Sequence, residues 1–543
     1  MEAQQVSARG QLNSLWSEKR LIAICFFIAL AQFQYGFDSA AVSGFQSMPG
    51  FLIVFGYADV SILPPILDMD FSDRFSEQPT NPIGYNITTK VQTLLQSLIS
   101  LGALAACILI FNFGRFISPR VGLWIASLFG VVSVAAQMGS THLAALYFGR
   151  VMLGFSNGFY STFSAIYIGE STPAYLRGAA IGLVVMQINI GALVGIAVDN
   201  GTQTMLSRLS YQIPLAVMFV VPVMMSVGLI FLPETPRYYI SKGQDDKAEA
   251  AIRKLRGITD DERIREDITI MRNAWLEETE MRSTTRLLDA FRGTDLRRTL
   301  LSIATAVGQA STGIYFISAF SVYFFVQARI GSPFKWVMVS LAIALTGNML
   351  SFPAIRFFNR RHLLLGTSLL NGGLMLGMAI AYTVSPVGSP TVGKVLVGLS
   401  IVFTWVYGIG QGPVLWALQT EIPSQRLRAQ TVGFSQGTSF LASWLCSYCT
   451  PYFINPESLN WGPKYCYIWA GSNFILAVFT YFFIPETKGR SLEQLDELFE
   501  KRISAWKFKR YVTDLQQADT DNYVGRMDAN EKAGVVQVEH KES

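Results

Sequence analysis

Long apolar runs separated by short polar connections occupy almost the whole chain. Runs of about 20 apolar residues are long enough to cross a bilayer core as helix. They fall at 21–44, 91–112, 121–139, 143–167, 179–198, 212–232, 300–326, 334–354, 363–385, 393–416, 430–453 and 465–484. The pattern predicts an all-α membrane protein with twelve transmembrane helices. The polar stretch 233–299 divides the runs into a first bundle, 21–232, and a second, 300–484, and reads as a linker with short helices in KAEAAIRKLRG and REDITIMRNAWLEE. Residues 1–20 form a polar lead. The connection at about 48–90, with its prolines and acids (PPILDMDFSDRF), reads as a folded cap. Within 485–543, RSLEQLDELFEKRISAW sets Leu492, Leu495, Phe499 and Ile503 on one helical face, as expected of an amphipathic surface helix lying against the cytoplasmic side. A polar tail, expected to be disordered, follows from about 515.

Composition agrees. Of 543 residues, 51% are hydrophobic and only 15% charged, too apolar for an ordinary soluble domain. The net charge of +5 does not point to nucleic acid, because the basic residues sit in connections at the ends of the runs. One set of connections holds Arg115, Arg120, Arg177, the linker, Arg356, Arg360, Arg361, Arg426 and Arg428. That side is expected to be cytoplasmic, with both termini on it. Two sequons, at Asn86 and Asn200, fall in connections assigned to the opposite side and are candidate glycosylation sites. The five cysteines lie in or near the runs and read as buried free thiols, not as a metal or redox site. The lead is polar and the first run too long for a cleavable signal peptide. No nucleophile elbow, phosphate loop or histidine cluster points to an enzyme, and no cofactor or metal is expected.

Ionised groups at bilayer depth are costly unless paired or hydrated. Arg150 stands inside the fourth run, and the one acid comparably placed in this half is Asp38, in the first. Their pairing is expected. It serves either to couple a proton to a conformational change or merely to fix packing. Three motifs also recur in order: RFISPR (115–120) with RFFNRR (356–361), Glu170 and Arg177 with Glu421 and Arg428, and PETPR (233–237) with PETKG (485–489), at offsets of 241 to 252 residues. Near-constant offsets mark a duplicated six-helix unit, with a substrate site expected between the copies near the midplane.

These motifs together resemble those of the major facilitator superfamily, and within it the sugar porters, over about 20–500; EIPSQRLR and NPESLNWGPK are most similar to fungal α-glucoside permeases and hexose transporters. The resemblance implies the superfamily's fold of two pseudo-symmetric six-helix bundles. It also implies that Asp38 and Arg150 couple protons, that Gln187 and Gln309 hydrogen-bond sugar hydroxyls, and that Trp416 stacks on a sugar ring. Asn348 and Gln436 match positions that sometimes face substrate. Gln309-Ala310-Ser311-Thr312-Gly313-Ile314-Tyr315 departs from the family's QQ-x-S-G-x-N, placing bulky Tyr315 where an asparagine is usual, and Gly437 stands where many hexose porters carry tryptophan. Glucose itself is therefore not implied. Glu170, Arg177, Glu234, Arg237, Glu421, Arg428 and Glu486 are expected to form a gating salt-bridge cluster at the cytoplasmic face, or else only to set topology. The GxxxG pairs Gly154–Gly158, Gly178–Gly182 and Gly191–Gly195 imply close helix packing.

The expectation is a monomeric plasma-membrane transporter importing a sugar or polyol with a proton by alternating access. Its partners are the small molecule, protons and the bilayer, not nucleic acid. A carrier or exporter of a non-sugar, such as a fungal secondary metabolite or a quinate-like acid, is the alternative. A non-transporting nutrient sensor is a second alternative, one expected to carry a longer tail than the roughly 55 residues after the last run.

Overall fold

The computed structural model describes residues 18–514 apart from 59–84, 173, 258–260, 285–286, 328–332, 385–389, 456–457, 491 and 509–510. The expected tail beyond 515 and most of the expected cap lie outside the described residues. Twelve long helical segments carry the fold. The first half holds α1 (Lys19–Phe45), α2 (Thr89–Phe113), α3 (Pro119–Met138), α4 (Leu143–Ser171), α5 (Ala174–Thr202) and α6, in two pieces (Leu209–Val217 and Val220–Phe231). The second holds α7, also in two pieces (Gly293–Ser311 and Ile314–Gln327), α8 (Pro333–Phe357), α9 (Arg360–Val384), α10 (Pro390–Val406, Tyr407–Gln411 and Gly412–Glu421), α11 (Arg428–Ile454) and α12 (Cys466–Phe483). Ten are long and apolar enough to cross a membrane. The other two, α4 and α11, are diluted by polar residues on buried faces: Arg150 and Asn157 on α4, and Thr431, Ser435, Ser439, Ser443 and Ser447 at four-residue spacing on α11.

Three spans are not continuous, and each break has a local cause. In α6 the helix lapses at Met218 and Phe219, just before Pro222, whose ring and missing N–H remove the bond to the carbonyl four residues back. In α7 it breaks at Thr312 and Gly313, where Gly313 takes φ +85 and a Cβ would strike the Trp469 ring. The freed carbonyls are taken up by α12: Asn473 Nδ2 donates to Thr312 O at 2.9 Å, and Ser472 Oγ donates to Ser311 O. In α10, Tyr407–Gln411 forms a single π-helical turn.

Glycines set the tightest crossings. Gly154 and Gly102 bring α4 and α2 backbone to backbone, and Gly36, Gly191 and Gly195 do the same for α1 and α5. The halves meet where α2 packs on α11, α5 on α8, and the second piece of α7 on α1. At the end away from the linker (the distal end) this contact includes hydrogen bonds. Asn455 Nδ2 donates to Gln92 Oε1 at 2.8 Å and to Thr89 Oγ1 at 3.1 Å, and Gln96 Nε2 donates to Ala319 O at 3.1 Å. Beside it lie the short helix Pro49–Phe55 and a two-residue strand pair, Tyr57–Ala58 with Tyr85–Asn86.

The linker carries helices at Pro236–Ser241, Asp245–Arg256 and Asp261–Thr284, covering both segments read as helical. They close over a small core of Ile240, Ala248, Ile252, Ile264 and Ile268. Arg256 ties them to the start of the chain through Glu18 at 2.9 Å, and to Asp267 at 2.5 Å. The helix Leu492–Glu500 buries Leu495, Leu498 and Phe499 in one cluster with Leu301, Leu415 and Ile422, closing the linker end of the second half. Asp496 on this helix pairs with Arg298 at 2.5 Å; burial pushes its carboxyl above the usual range and the guanidinium holds it back. The sequon at Asn86 lies in the connection before α2, with Asn86 in the strand pair and Ile87 and Thr88 outside any element. Asn200 departs from the loop expected: it is in the last turn of α5, which persists to Thr202, with its Oδ1 taken by Gln203 Nε2 at 2.9 Å.

Candidate functional site

Asp38 and Arg150 meet as expected. Asp38 Oδ1 accepts from Arg150 Nη1 at 2.6 Å, with the two side chains 2% and 0% exposed. Arg150 Nε donates to the Leu95 carbonyl of α2 at 2.9 Å, while Nη2 has no partner. One acid thus holds one base across α1, α2 and α4. Gln187 is in α5, beside Ile188, whose carbonyl sits against Gly36 of α1, so it flanks the crossing that carries Asp38. It is 1% exposed and its Nε2 donates to nothing among the described residues.

Gln309 and Tyr315 flank the break in α7. Gln309 Nε2 donates to the Tyr407 hydroxyl, on the π turn of α10, at 3.2 Å. Tyr315 bonds Ser439 and Ser443 of α11, and Ser443 Oγ lies 3.2 Å from Ser100 Oγ of α2, so this chain of hydroxyls crosses between the halves. Tyr35 of α1, one turn before Asp38, lies within electrostatic range of Asp38, Tyr315 and Tyr407. The structure thereby brings Asp38, Gln309 and Tyr315 into one neighbourhood between the halves.

The other candidates differ in their surroundings. Trp416 of α10 is 45% exposed. Gln436 accepts from Gln419 Nε2 at 3.3 Å. Asn348 Nδ2 donates to its own helix, at Ala344 O, and its Oδ1 packs beside Gly408 of the π turn.

The duplicated motifs build the same contacts twice. Glu234 Oε1 accepts from the Arg120 backbone N–H at 3.1 Å, at the start of α3; Glu486 accepts from the Arg360 and Arg361 N–H groups at 3.1 and 3.2 Å, at the start of α9. A carboxylate on exposed helix N–H groups complements both the bonds and the helix dipole. Thr235 Oγ1 donates to Glu170 Oε2 at 2.6 Å, and Thr487 Oγ1 donates to Glu421 Oε2 at 2.9 Å; Arg360 also pairs with Glu421. Arg120 reaches the Leu229 carbonyl as Arg361 reaches that of Tyr481. The described bonds of Glu234, Glu421 and Glu486 each lie inside one half. The Arg177 side chain lies outside the described residues. Arg237 stands in the first turn of the Pro236–Ser241 helix and Arg428 at the first residue of α11.

Sequence reasoning missed the network that supports the second half of the site. Gln411, at the end of the π turn, accepts from Asn371 Nδ2 at 2.5 Å and donates to Ser368 Oγ at 3.0 Å and Asn473 Oδ1 at 2.8 Å. All four are buried. The available signal was an amide between two glycines, Gly410 and Gly412, inside an apolar run. Tyr407 was missed with it.

The family model described as "Sugar (and other) transporter" matches residues 24–499. The chain belongs to that family. It is a multi-pass membrane transporter of the sugar-porter type and not an enzyme. Among similar proteins, the high glucose sensor RGT2 of Saccharomyces cerevisiae is 30% identical over 85% of this chain, which spans 61% of the sensor's own length. The major facilitator-type transporter ecdD of Aspergillus rugulosus is 28% identical over 86% of this chain and 88% of its own. The hexose transporter HXT10 of Saccharomyces cerevisiae is 24% identical, over 90% and 86%. The fold is that of the major facilitator superfamily. The xylose transporter XylE from E. coli, in its inward open conformation, superposes with a TM-score of 0.69 at 20% identity, covering 88% of this chain and 99% of that one. The same superfamily's proton:xylose symporter XylE bound to 6-bromo-6-deoxy-D-glucose gives 0.65 at 20%, over 89% and 100%.

Proposed function

We propose that this sugar-family transporter imports a sugar or related polyol together with a proton, as a monomer in the plasma membrane with the linker end cytoplasmic. The observation that carries the reading is Gln187. An amide donor buried at the inter-helix crossing with no protein partner is a donor left for a ligand hydroxyl, since buried polar groups are otherwise bonded. Gln309 and Tyr407 supply donors and acceptors from the other half, and Trp416 an exposed aromatic face. None adds charge, which suits a neutral polyol. Asp38 is the proton site in this reading. Protonation removes its charge and releases Arg150, which then relies on the Leu95 carbonyl and on water admitted as the halves part. Glu170, Arg177, Glu234, Arg237, Glu421, Arg428 and Glu486 set the bias of that movement as charges at the linker end. Asn348, Gln436 and Tyr315 shape the wall.

The test is uptake of a labelled sugar panel in a transporter-deficient yeast at acidic and neutral external pH, for wild type and Asp38→Asn. Accumulation favoured by acid and lost in the variant is expected. Surface protein that moves no sugar removes the reading. It then favours a non-sugar carrier, to which the similarity to ecdD and the bulk of Tyr315 point, or a sensor, to which the similarity to RGT2 points.

A further inference from the structure

Asp199 is the one carboxylate in the described spans whose two oxygens are both buried without a partner. It stands in the last turn of α5, at the distal end, and is wholly buried. Its Oδ2 packs against Gly44 of α1, 1.9 Å from where a Cβ would stand, and the Phe334 ring of α8 closes the same spot 3.0 Å from that Cβ position. Gly44 and Asp199 belong to the first half and Phe334 to the second. The acid is therefore sealed at the seam between the halves, at the end where Asn455, Gln92 and Thr89 also join them.

The described groups placed against it do not neutralise it. From α1 it meets Gly44, and from α8 Phe334. Arg208, in the turn before α6, is exposed and acts on Tyr211. Among the described residues no charged side chain acts on Asp199. An ionised carboxylate with neither counter-charge nor donor is strongly disfavoured at such a place, whereas a protonated one is tolerated.

We propose that Asp199 is a second proton-binding site, loaded from the distal side, whose protonation is required for the distal seam to close. When the halves part there, Phe334 leaves Gly44 and the carboxyl meets water and ionises. Closing again requires a proton from the same side. Asp199 thus returns its proton to the compartment that supplied it. It acts as a pH switch on distal closure and adds nothing to the protons carried with substrate, which pass through Asp38. The proposal rests on the alternating-access reading above and on its assignment of the distal end to the outside.

The test is hydrogen–deuterium exchange of the full-length protein in lipid nanodiscs, following peptides over Gly44–Phe55 and Pro333–Ser340 between about pH 5.5 and about pH 8, at labelling times scaled to equal intrinsic exchange. One proton bound in the closed state and lost in the open one makes local opening rise up to about tenfold per pH unit above the ordinary carboxylate range. That slope is expected in wild type and in Asp38→Asn. It should be absent in Asp199→Asn, which stays protected throughout. Phe334→Ala, which lets water reach the carboxyl in the closed state, should flatten it. A wild type with no pH-dependent opening, or an Asp199→Asn protein that keeps the slope, overturns the proposal. The wild-type titration alone can do so if a variant does not fold. Sugar uptake indifferent to pH alongside an intact exchange slope would remove Asp38 coupling and leave Asp199.

Discussion

Gln309 and Tyr407 meet amide to hydroxyl at 3.2 Å, at the point where two helices of the second half each lose their regular pitch. The break in α7 frees the turn carrying Gln309, and the π turn of α10 starts at Tyr407. A hydrogen bond between two irregular turns leaves both groups with spare capacity for a ligand.

Tyr407→Phe keeps the ring and removes the hydroxyl. A net hydrogen bond is worth about 0.5–1.5 kcal/mol, so the apparent KM for the transported sugar should rise about two- to tenfold while surface expression is unchanged. Uptake kinetics normalised to surface protein check this; an unchanged KM would take Tyr407 out of the site.

Asp38→Asn leaves Arg150 buried without its counter-charge. Removing one partner of a buried pair costs about 3–5 kcal/mol, so the melting temperature of the detergent-solubilised protein should fall. Downhill counterflow of sugar should persist while accumulation is lost, with acid-favoured uptake disappearing at the same time. Accumulation that survives in Asp38→Asn would leave the pair as packing.

Glu486→Gln keeps an acceptor at the start of α9 but removes the charge, and Glu486→Leu removes both. A helix cap contributes about 1 kcal/mol, with less than that from the charge alone. The order of thermal stability should be wild type, then Gln, then Leu, with Glu234→Gln and Glu234→Leu following the same order at α3. Equal melting of the Gln and Leu variants would mean that the carboxylates are not caps.

Asn473→Leu removes the donor to the Thr312 carbonyl and strands Gln411. Leaving a buried polar group unpaired costs about 1–3 kcal/mol, and the two effects share one network. Stability and sugar affinity should therefore fall together. A stable variant with normal KM would show that the network does not position Gln309 and Tyr407.

Hydrophobic length and the placement of single charges made most of the architecture readable. Twelve spans follow from bilayer thickness, and Asp38 with Arg150 follows from the scarcity of alternatives. The breaks were not readable, because their compensation is remote: Asn473 reaches Thr312 from 161 residues away. Sequence reasoning paired the acids of the repeated motifs with arginines, since only full charges are visible in a sequence. The partial charge of a helix N-terminus, which Glu234 and Glu486 use, appears only when the helices are placed. The sequon at Asn200 read as loop because Asp, Asn and Gly cluster there, yet the helix runs on to Thr202. Asp199 escaped notice for the same reason, standing in a polar cluster that proves to be wholly buried.

The described bonds of Glu234 in one half, and of Glu421 and Glu486 in the other, bear on how much of the molecule needs to be a single polypeptide. A chain interrupted between the helix ending at Thr284 and α7 keeps the bonds of Glu234 on one piece and those of Glu421 and Glu486 on the other. The two pieces, made from separate genes in one cell, are expected to find each other through the α2–α11 and α5–α8 seams and restore uptake, which neither supports alone. Covalent connection would then serve equal dosage of the halves, leaving the fold to the seams.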